Sequence, residues 1–220
     1  MNVLVAIPSR SNLAGLKSVV GQCERQWVRV YDNGYENLRD NILLDDNKDQ
    51  IVDAHGWPFY KMWNDAWLYA SENAYDAVAL LNDDIVMHPD SLEIAFDALM
   101  GGARIGIVGL NYERRVAEGA DPSLGLRFAQ GARRNHGIGG QAFLLRASLW
   151  GIVPPIDEEY VIWYGDDELF YNVEAAGYCL RVAMGAPVDH EESTTLNKHP
   201  ELLARTGEDA DRFRSKFAKS

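Results

Sequence analysis

Acidic and amide side chains are concentrated in three short segments of the chain: Asn82-Asp83-Asp84, Gly165-Asp166-Asp167-Glu168 and Asp189-His190-Glu191-Glu192. Carboxylate and amide oxygens suit a hard divalent cation such as Mg²⁺ or Mn²⁺, and an imidazole among them favours Mn²⁺. Crowding of like charges makes one carboxylate more basic, which suits a general base. These residue types therefore predict metal-assisted chemistry with a carboxylate that accepts a proton.

Each segment also has an ordinary structural explanation, which the sequence alone leaves open. An Asn-Asp-Asp turn can cap the backbone that follows it, and acids at a helix N-terminus are favoured by the helix dipole. Three acids in succession nevertheless exceed what capping needs, and no Lys or Arg lies between Arg146 and Arg181. Trp163-Tyr164, just before these acids, is equally compatible with a stacking surface for a sugar ring and with the core.

The elements that would position these residues alternate between strands and helices over the first 110 residues. Apolar runs predict buried strands at residues 3–7, 27–31, 77–81 and 105–109. Helical spacing predicts helices from Leu13, over 59–74 and over 90–100, with Asn12 or Ser11 capping the first and Asp90 the last. Residues 36–56 are compatible with short strands or single helical turns. The alternation predicts an α/β fold with a largely parallel sheet.

Polar clusters follow three of the predicted strands: Ser9-Arg10, Asp32-Asn33 and Asn82-Asp83-Asp84. Ligands of parallel α/β sheets bind outside the carboxyl ends of the strands. We therefore expect these three clusters to converge on one ligand site.

The second half of the chain is less regular. Residues 111–138 are polar and rich in glycine and arginine, and a segment of this length without regular structure is usually functional. A strand at 142–145, a helix at 166–176 and a strand at 178–183 follow. We expect the tail from Pro200 to be helical, with docking residues Leu202, Leu203, Phe213 and Phe217.

The composition of the 220-residue chain is that of a globular domain, with 47% hydrophobic and 25% charged residues. A formal net charge of −12 argues against nucleic acid or anionic lipid, which bind through clusters of Lys and Arg. The separation of Cys23 and Cys179 favours free thiols, with a single disulfide as the alternative. No apolar run reaches the roughly 20 residues that span a bilayer, and no basic segment precedes the first apolar run. We therefore expect a soluble, cytoplasmic protein.

The order of the motifs resembles that of inverting GT-A glycosyltransferases of the family 2 kind. The matching segments span about residues 3–193: V-A-I-P-S-R, V-Y-D-N-G, L-N-D-D-I, G-G-Q-A-F-L-L-R, I-D-E-E-Y, Y-G-D-D-E-L-F-Y-N-V-E-A-A-G-Y and V-D-H-E-E-S. Each is weak alone, whereas the ordered set is specific. The resemblance implies a GT-A (Rossmann-like) three-layer α/β sandwich with a mostly parallel central sheet. We expect one such domain over residues 1–193 and a helical tail, residues 194–220, packed on it.

The resemblance also implies a role for each matching residue. Those expected against the donor nucleotide are Pro8, Ser9, Arg10, Asp32, Asn33, Asn82 and Asp83, with Asp32 accepting a hydrogen bond from the base. Those expected against the donor sugar or the acceptor are Gly139, Gly140, Trp163, Tyr164 and Glu158. Asp84 and His190 would bind Mn²⁺ or Mg²⁺. Asp166 would be the general base that takes a proton from an acceptor hydroxyl.

Two positions depart from the family pattern. Asn82 stands where the family has the first Asp of its Asp-x-Asp motif, which weakens metal binding or shifts it onto the diphosphate. Gly165 stands where the family has a Glu before the catalytic Asp, so a register one residue on would make Asp167 the base. The Gln-x-x-Arg-Trp pattern of processive synthases is absent from the sequence. The resemblance thus implies transfer of one sugar per encounter.

Two other functions remain open. A nucleotidylyltransferase would need a glycine-rich basic loop after the first strand, which residues 9–15 do not form. A non-catalytic nucleotide-sugar-binding module is favoured by Asn82 and Gly165, and disfavoured by the presence of Asp84, Asp166 and His190 together. For an enzyme, resemblance favours a UDP- or dTDP-linked donor, and the hydroxyl acceptor is unknown. Because a chain with little beyond the core fold has few elements that could bind a large acceptor, a partner chain or a homodimer also stays open.

Overall fold

The computed structural model describes residues 1–45, 49–112, 128–130, 133–135, 138–190, 202 and 205–217. Its strands are β1 (Val3–Ser9), β2 (Trp27–Asp32), β3 (Gln50–Asp53), β4 (Ala77–Leu81), β5 (Ile85–Met87), β6 (Ile105–Tyr112), β7 (Phe128–Gln130), β8 (Arg133–Asn135), β9 (Ala142–Arg146) and β10 (Cys179–His190). Its helices are α1 (Leu13–Gly21), α2 (Leu38–Asn41), α3 (Phe59–Glu72), α4 (Ser91–Met100), α5 (Gly165–Ala175) and α6 (Thr206–Phe217).

One eight-stranded sheet, in the order β3-β2-β1-β4-β9-β6-β10-β5, forms the centre of the molecule, and β7 and β8 pair separately. Strands β1 to β4 pair in parallel, as do β6 and β10, whereas β9 and β5 run antiparallel to their neighbours. The register places Ser9 opposite Asp32, and Asp32 opposite Asp53. The predicted mostly parallel sheet is confirmed, and the carboxyl ends of β1, β2 and β3 are level with one another.

The two faces of the sheet carry separate cores. Along β1, Leu4 and Ala6 pack into the cluster under α3 and α5, whereas Val3, Val5 and Ile7 pack into the cluster under α1 and α4. Alternation of this kind follows from the two-residue period of a strand, and burial on both faces explains the continuous apolar runs. The arrangement is the expected three-layer sandwich.

The sequence predicted the N-terminal capping residue correctly for helix α1 but not for helix α4. The Asn12 side chain caps α1 by accepting a hydrogen bond from the amide of Gly15, as predicted. Asp90 precedes α4, but its backbone is left-handed, with φ of 63°, and its side chain makes no capping bond. The prediction that the Asp90 carboxylate caps this helix is therefore wrong.

The ambiguous segments resolve in different ways. Within residues 36–56, Ile51 and Val52 lie in β3, whereas Leu43 lies in neither a helix nor a strand and is 95% exposed. Most of the arginine-rich segment lies outside the described residues, including Arg114, Arg115 and Arg127. The strand β8 contains Arg133 and Arg134.

The C-terminal tail includes a helix, α6, as predicted. Phe213 is buried in the same core cluster as α3 and α5, and Phe217 packs against that cluster. Leu202 is half-buried, and Leu203 lies outside the described residues. Division of the chain at residue 193 stays a prediction. None of the helices in the described parts of the chain has the length and apolar character needed to cross a membrane.

Candidate functional site

A buried hydrogen-bond network joins the carboxyl ends of β1 and β4. The hydroxyl of Ser9 donates to Oδ2 of Asp83, and Asn12 Nδ2 donates to the Asp83 carbonyl across 2.9 Å. Because Ser9 donates to Asp83, it accepts from the hydroxyl of Tyr35, 2.6 Å away. Burial raises the pKa of Tyr35 to about 12, so its hydroxyl keeps the proton it donates at neutral pH. The network fixes the turn that contains Asn82 and Asp84.

The carboxylate of Asp84 and the imidazole of His190 meet although they are far apart in sequence. The antiparallel pairing of β10 with β5 places His190 opposite Ile85, which follows Asp84 directly. His190 Nε2 lies 3.0 Å from Asp84 Oδ1, and the two side chains are 17% and 8% exposed. The structure thus brings together the two predicted metal ligands.

These two side chains suit a divalent cation by their chemistry and spacing. Ligands about 2.1 Å from an ion, at right angles to one another, lie about 3.0 Å apart. A carboxylate with an imidazole is a donor pair that suits Mn²⁺ better than Mg²⁺. Within the described ranges, no three His, Cys, Asp or Glu side chains form a metal-binding group by themselves. The pair therefore fits a cation that takes its other ligands from a bound substrate and water.

A second polar cluster lies at the carboxyl ends of β2 and β3. Asp32 Oδ1 accepts hydrogen bonds from the amides of Gly34 and Tyr35, at 3.2 and 2.9 Å. Asn33 donates its side-chain amide to the carbonyl of Trp57 and accepts from the amide of Gly56, both at 3.1 Å. Pro8 is buried within β1, whereas Arg10 is exposed at its end. These residues lie at or next to the carboxyl ends of β1, β2 and β3, and their contact with a nucleoside stays a prediction.

The sequence did not single out His55, which joins this second cluster. Its Nδ1 lies 2.7 Å from Asp53 Oδ1, and its Nε2 lies 3.9 Å from Asp32 Oδ1. The hydrogen bond with Asp53 raises the pKa of His55, and the charges of Asp32 and Asp53 act in the same direction. The only signal in the sequence is its position two residues after Asp53, the last residue of the short edge strand β3.

Asp166 lies against the loop that precedes β9. A methyl group at Gly140 would lie 2.5 Å from Asp166 Oδ2, so only a glycine lets the carboxylate approach this backbone. The next residue, Gln141, accepts a hydrogen bond from the amide of Asn82 through its carbonyl, across 2.9 Å. Asp166 and Asn82 therefore contact neighbouring residues of one short loop, which also contains Gly139. Asp166 and Asp167 are both buried, at 8% and 4% exposure.

The glycine before Asp166 has a packing explanation. Gly165 lies directly against the ring of Tyr60, and a Cβ there would overlap the ring carbons. The Tyr60 hydroxyl donates to the carbonyl of Ile162 across 3.0 Å. Tyr60 therefore fills the space that a Glu side chain at position 165 would need.

Three of the residues expected to contact the donor sugar or the acceptor, Trp163, Tyr164 and Glu158, lie in different surroundings. Tyr164 and Trp163 are half-buried, and the Tyr164 ring packs on Phe213 with centroids 5.4 Å apart. Glu158 is exposed, and its carboxylate contacts the side chain of Asn64 on α3, at 3.4 Å. The carbonyl of Tyr164 accepts a hydrogen bond from the amide of Glu168 in the first turn of α5, whereas the contact of Glu158 leads to α3.

Basic side chains of the C-terminal helix α6 form ion pairs with the acidic residues between 157 and 168. Lys216 Nζ lies 2.6 Å from Asp157 Oδ2 and 3.1 Å from Glu168 Oε1. Burial alone would raise the pKa of Asp157, but hydrogen bonds and the charges of Lys216 and Arg212 together lower it. The charges of Asp157 and Glu168 are therefore partly neutralised by basic residues from a distant part of the sequence. Lys216, for example, follows Glu168 by 48 positions.

Neither protein-family models nor curated protein sequences match the chain. Solved structures do match it in fold. A mannosyltransferase from Pyrobaculum calidifontis, in complex with GDP-Man and Mn²⁺, superposes with a TM-score of 0.64 at 12% identity. The match covers 88% of this chain and 57% of the mannosyltransferase, so this chain spans little more than half of the length of the mannosyltransferase.

A glucosyl-3-phosphoglycerate synthase from Mycobacterium tuberculosis, in complex with Mn²⁺, UDP-glucose and phosphoglyceric acid, gives the same TM-score of 0.64 at 15% identity. That match covers 97% of this chain and 79% of the synthase. A 4-diphosphocytidyl-2C-methyl-D-erythritol synthase matches with a TM-score of 0.51 at 14% identity, over 93% of this chain and 100% of that one. The chain therefore has the GT-A fold found in nucleotide-sugar glycosyltransferases.

Proposed function

We propose that the protein is a glycosyltransferase of the family 2 kind, which transfers one sugar from a nucleotide diphosphate sugar to an acceptor hydroxyl with inversion. The observation that carries this proposal is a chain of contacts that runs from Asp166, through the loop before β9, to the turn at residues 82–84 and on to His190. Asp84 contacts His190, and the neighbouring Asn82 shares that loop with Asp166. The GT-A fold and its ligand-binding sheet edge give further support.

The donor nucleotide would lie along the carboxyl ends of β1, β2 and β4. Its nucleoside would contact Pro8, Ser9, Arg10, Asp32 and Asn33, and its diphosphate would lie beside Asn82 and Asp83. Asp84 and His190 would hold Mn²⁺ or Mg²⁺. The chemistry that such a cation supplies when bound is neutralisation of the charge that develops on the departing diphosphate. A cation also reconciles an acidic protein with an anionic donor.

The reaction itself is a single displacement at the anomeric carbon of the donor sugar. The Asp166 carboxylate takes the proton of the acceptor hydroxyl, and the oxygen forms a bond to the anomeric carbon. The bond from that carbon to the diphosphate breaks, and its electron pair leaves with the nucleoside diphosphate. Asp167 is the alternative base, and Gly139, Gly140, Trp163, Tyr164 and Glu158 are proposed to contact the donor sugar or the acceptor.

The experiment that tests this function measures release of nucleoside diphosphate from UDP-, dTDP- and GDP-linked sugars with Mn²⁺ and with Mg²⁺. We expect one donor to be hydrolysed slowly in the presence of the cation and more rapidly once an acceptor is supplied. Asp166→Asn should lower turnover by about 10²-fold or more and keep nucleotide binding. Binding of every donor without turnover in the wild-type protein would instead indicate a binding module.

A nucleotidylyltransferase is the second candidate, favoured by the match to the 4-diphosphocytidyl-2C-methyl-D-erythritol synthase over 93% of this chain. Such an enzyme would release pyrophosphate from a nucleoside triphosphate. Residues 9–15 lack the glycine-rich basic loop that grips a triphosphate. Pyrophosphate release from CTP or UTP with a sugar phosphate would favour this candidate over sugar transfer.

A further inference from the structure

The C-terminal helix α6 makes a set of polar contacts with the segment that leads into the predicted base. Asp209, on this helix, is 1% exposed. Its carboxylate accepts three backbone hydrogen bonds: Oδ1 from Val161, and Oδ2 from both Ile162 and Trp163, each at 3.0 Å. A carboxylate that is buried and accepts three amides is a strong anchor, because charge-assisted hydrogen bonds are stronger than neutral ones.

The anchored loop runs directly into the helix that carries Asp166. Tyr164 follows the three amides and has a left-handed backbone, with φ of 68°, which is uncommon for a residue other than glycine. The carbonyl of Tyr164 then accepts a hydrogen bond from the amide of Glu168 across 2.8 Å, which closes the turn that contains Asp166. The conformation of this turn therefore depends on the loop before it.

Two more contacts connect α6 to the same region. Lys216 bridges Asp157 and Glu168, on either side of the loop. The ring of Phe213 packs on that of Tyr164. Helix α6 thus contacts the loop, its left-handed residue and the first turn of α5 through three different side chains.

We propose that Asp209 is a positioning residue for the base segment, and that α6 is part of the catalytic unit. The carboxylate of Asp209 holds the loop at 161–163, which sets the direction in which α5 begins and so the position of the Asp166 carboxylate. Lys216 adds a second constraint through Glu168. The catalytic consequence rests on the proposed function, whereas the structural link can be tested without it.

The test compares Asp209→Asn with Asp211→Asn, a matched control on the same helix. The Asp211 side chain is 80% exposed and pairs with Arg214 at 2.9 Å. Hydrogen exchange is measured at the amides of residues 161–163 and of Glu168, with amides of β1 and β4 as the internal reference. We expect Asp209→Asn to speed exchange at the loop and at Glu168 by roughly tenfold or more, with the sheet unchanged. Exchange in Asp211→Asn should match that of the wild type.

The kinetic half of the test separates positioning from binding. In Asp209→Asn we expect kcat to fall by about tenfold or more, since a small displacement of a catalytic group is costly. The affinity for nucleoside diphosphate should stay within about twofold, because the three hydrogen bonds of Asp209 hold the loop at 161–163 and not the carboxyl ends of β1, β2 and β4. Lys216→Gln, on the helix surface, should show a smaller effect in the same direction. This variant keeps the proposal testable if Asp209→Asn fails to fold.

Two results would overturn the inference. Faster exchange at 161–163 with unchanged exchange at Glu168 would show that the loop does not control the base segment. A wild-type kcat in both variants would show that the constraint has no catalytic effect. Failure of the proposed function has a different signature, since the wild-type protein would then transfer no sugar while the exchange measurements still report on the link.

Discussion

Gly165 lies so close to the buried ring of Tyr60 that any side chain at position 165 would overlap the ring carbons. Tyr60 itself is held by a hydrogen bond from its hydroxyl to the carbonyl of Ile162, in the loop that enters α5. The pair explains why this chain has a glycine where the resembling family has a glutamate. Packing against Tyr60 of α3 thus accounts for the glycine, and the carboxylate of the next residue, Asp166, lies against Gly140.

Gly165→Ala should therefore destabilise the protein by about 1–3 kcal/mol, the usual cost of overpacking a core. Thermal and urea unfolding measure the effect. Gly21→Ala is the matched control, because nothing lies within 4 Å of a Cβ at the end of α1, and this variant should be neutral or slightly more stable. Equal stability of Gly165→Ala and the wild type would contradict the packing explanation.

The Asp84–His190 pair predicts that nucleotide affinity depends on a divalent cation. Wild-type protein should bind a nucleoside diphosphate more tightly with Mn²⁺ than without it, as measured by calorimetry. Asp84→Ala and His190→Ala should each remove most of this difference, because each deletes one of the two donors. His88→Ala is the control, since His88 Nε2 lies 3.2 Å from Asp189 Oδ2, and the successive side chains of Asp189 and His190 on β10 point to opposite faces. Cation dependence that survives in Asp84→Ala would rule out this site.

The base assignment predicts different effects for two adjacent carboxylates. Asp166→Asn should lower kcat by about 10²-fold or more with donor affinity unchanged, which is the usual contribution of a general base. Asp167→Asn should have the smaller effect, because it is Asp166 that lies against Gly140. Steady-state kinetics with a saturating acceptor measure both variants. The reverse order of effects would make Asp167 the base.

His55 predicts a pH dependence at the carboxyl ends of β2 and β3. Its pKa lies above the ordinary value of 6.5, chiefly because of the hydrogen bond with Asp53. A pKa raised on folding adds stability that is fully present below the unfolded value of about 6.5, and that is lost as the pH rises through the folded value. Because His55 is exposed, we expect a small effect on stability and a clear one in an NMR titration. Asp53→Asn should move the titration midpoint of His55 back toward 6.5, and an unchanged midpoint would refute the pairing.

The sequence predicted most of the sheet because its central strands are buried on both faces. Continuous apolar runs identify β1, β4 and β9 directly, and polar residues mark the carboxyl ends where ligands bind. Convergence of Asp84 with His190 required a family resemblance, since 106 positions separate them. The residues that the sequence missed act through tertiary contacts: Tyr35 on Ser9, His55 on a short edge strand, and Asp209 and Lys216 on the tail. Local sequence patterns predict periodicity and turns. They do not predict which distant helix will pack against an acidic segment and pair with its carboxylates.

The most direct test of the central claim is a crystal structure with a nucleoside diphosphate and Mn²⁺, in which anomalous scattering locates the ion. We predict one Mn²⁺ bound by Asp84 Oδ1 and His190 Nε2 and by the diphosphate, with the Asp166 carboxylate facing the space next to the β-phosphate. An ion bound elsewhere, or a nucleotide whose site includes Asp84 but is closed off from Asp166, would contradict the account.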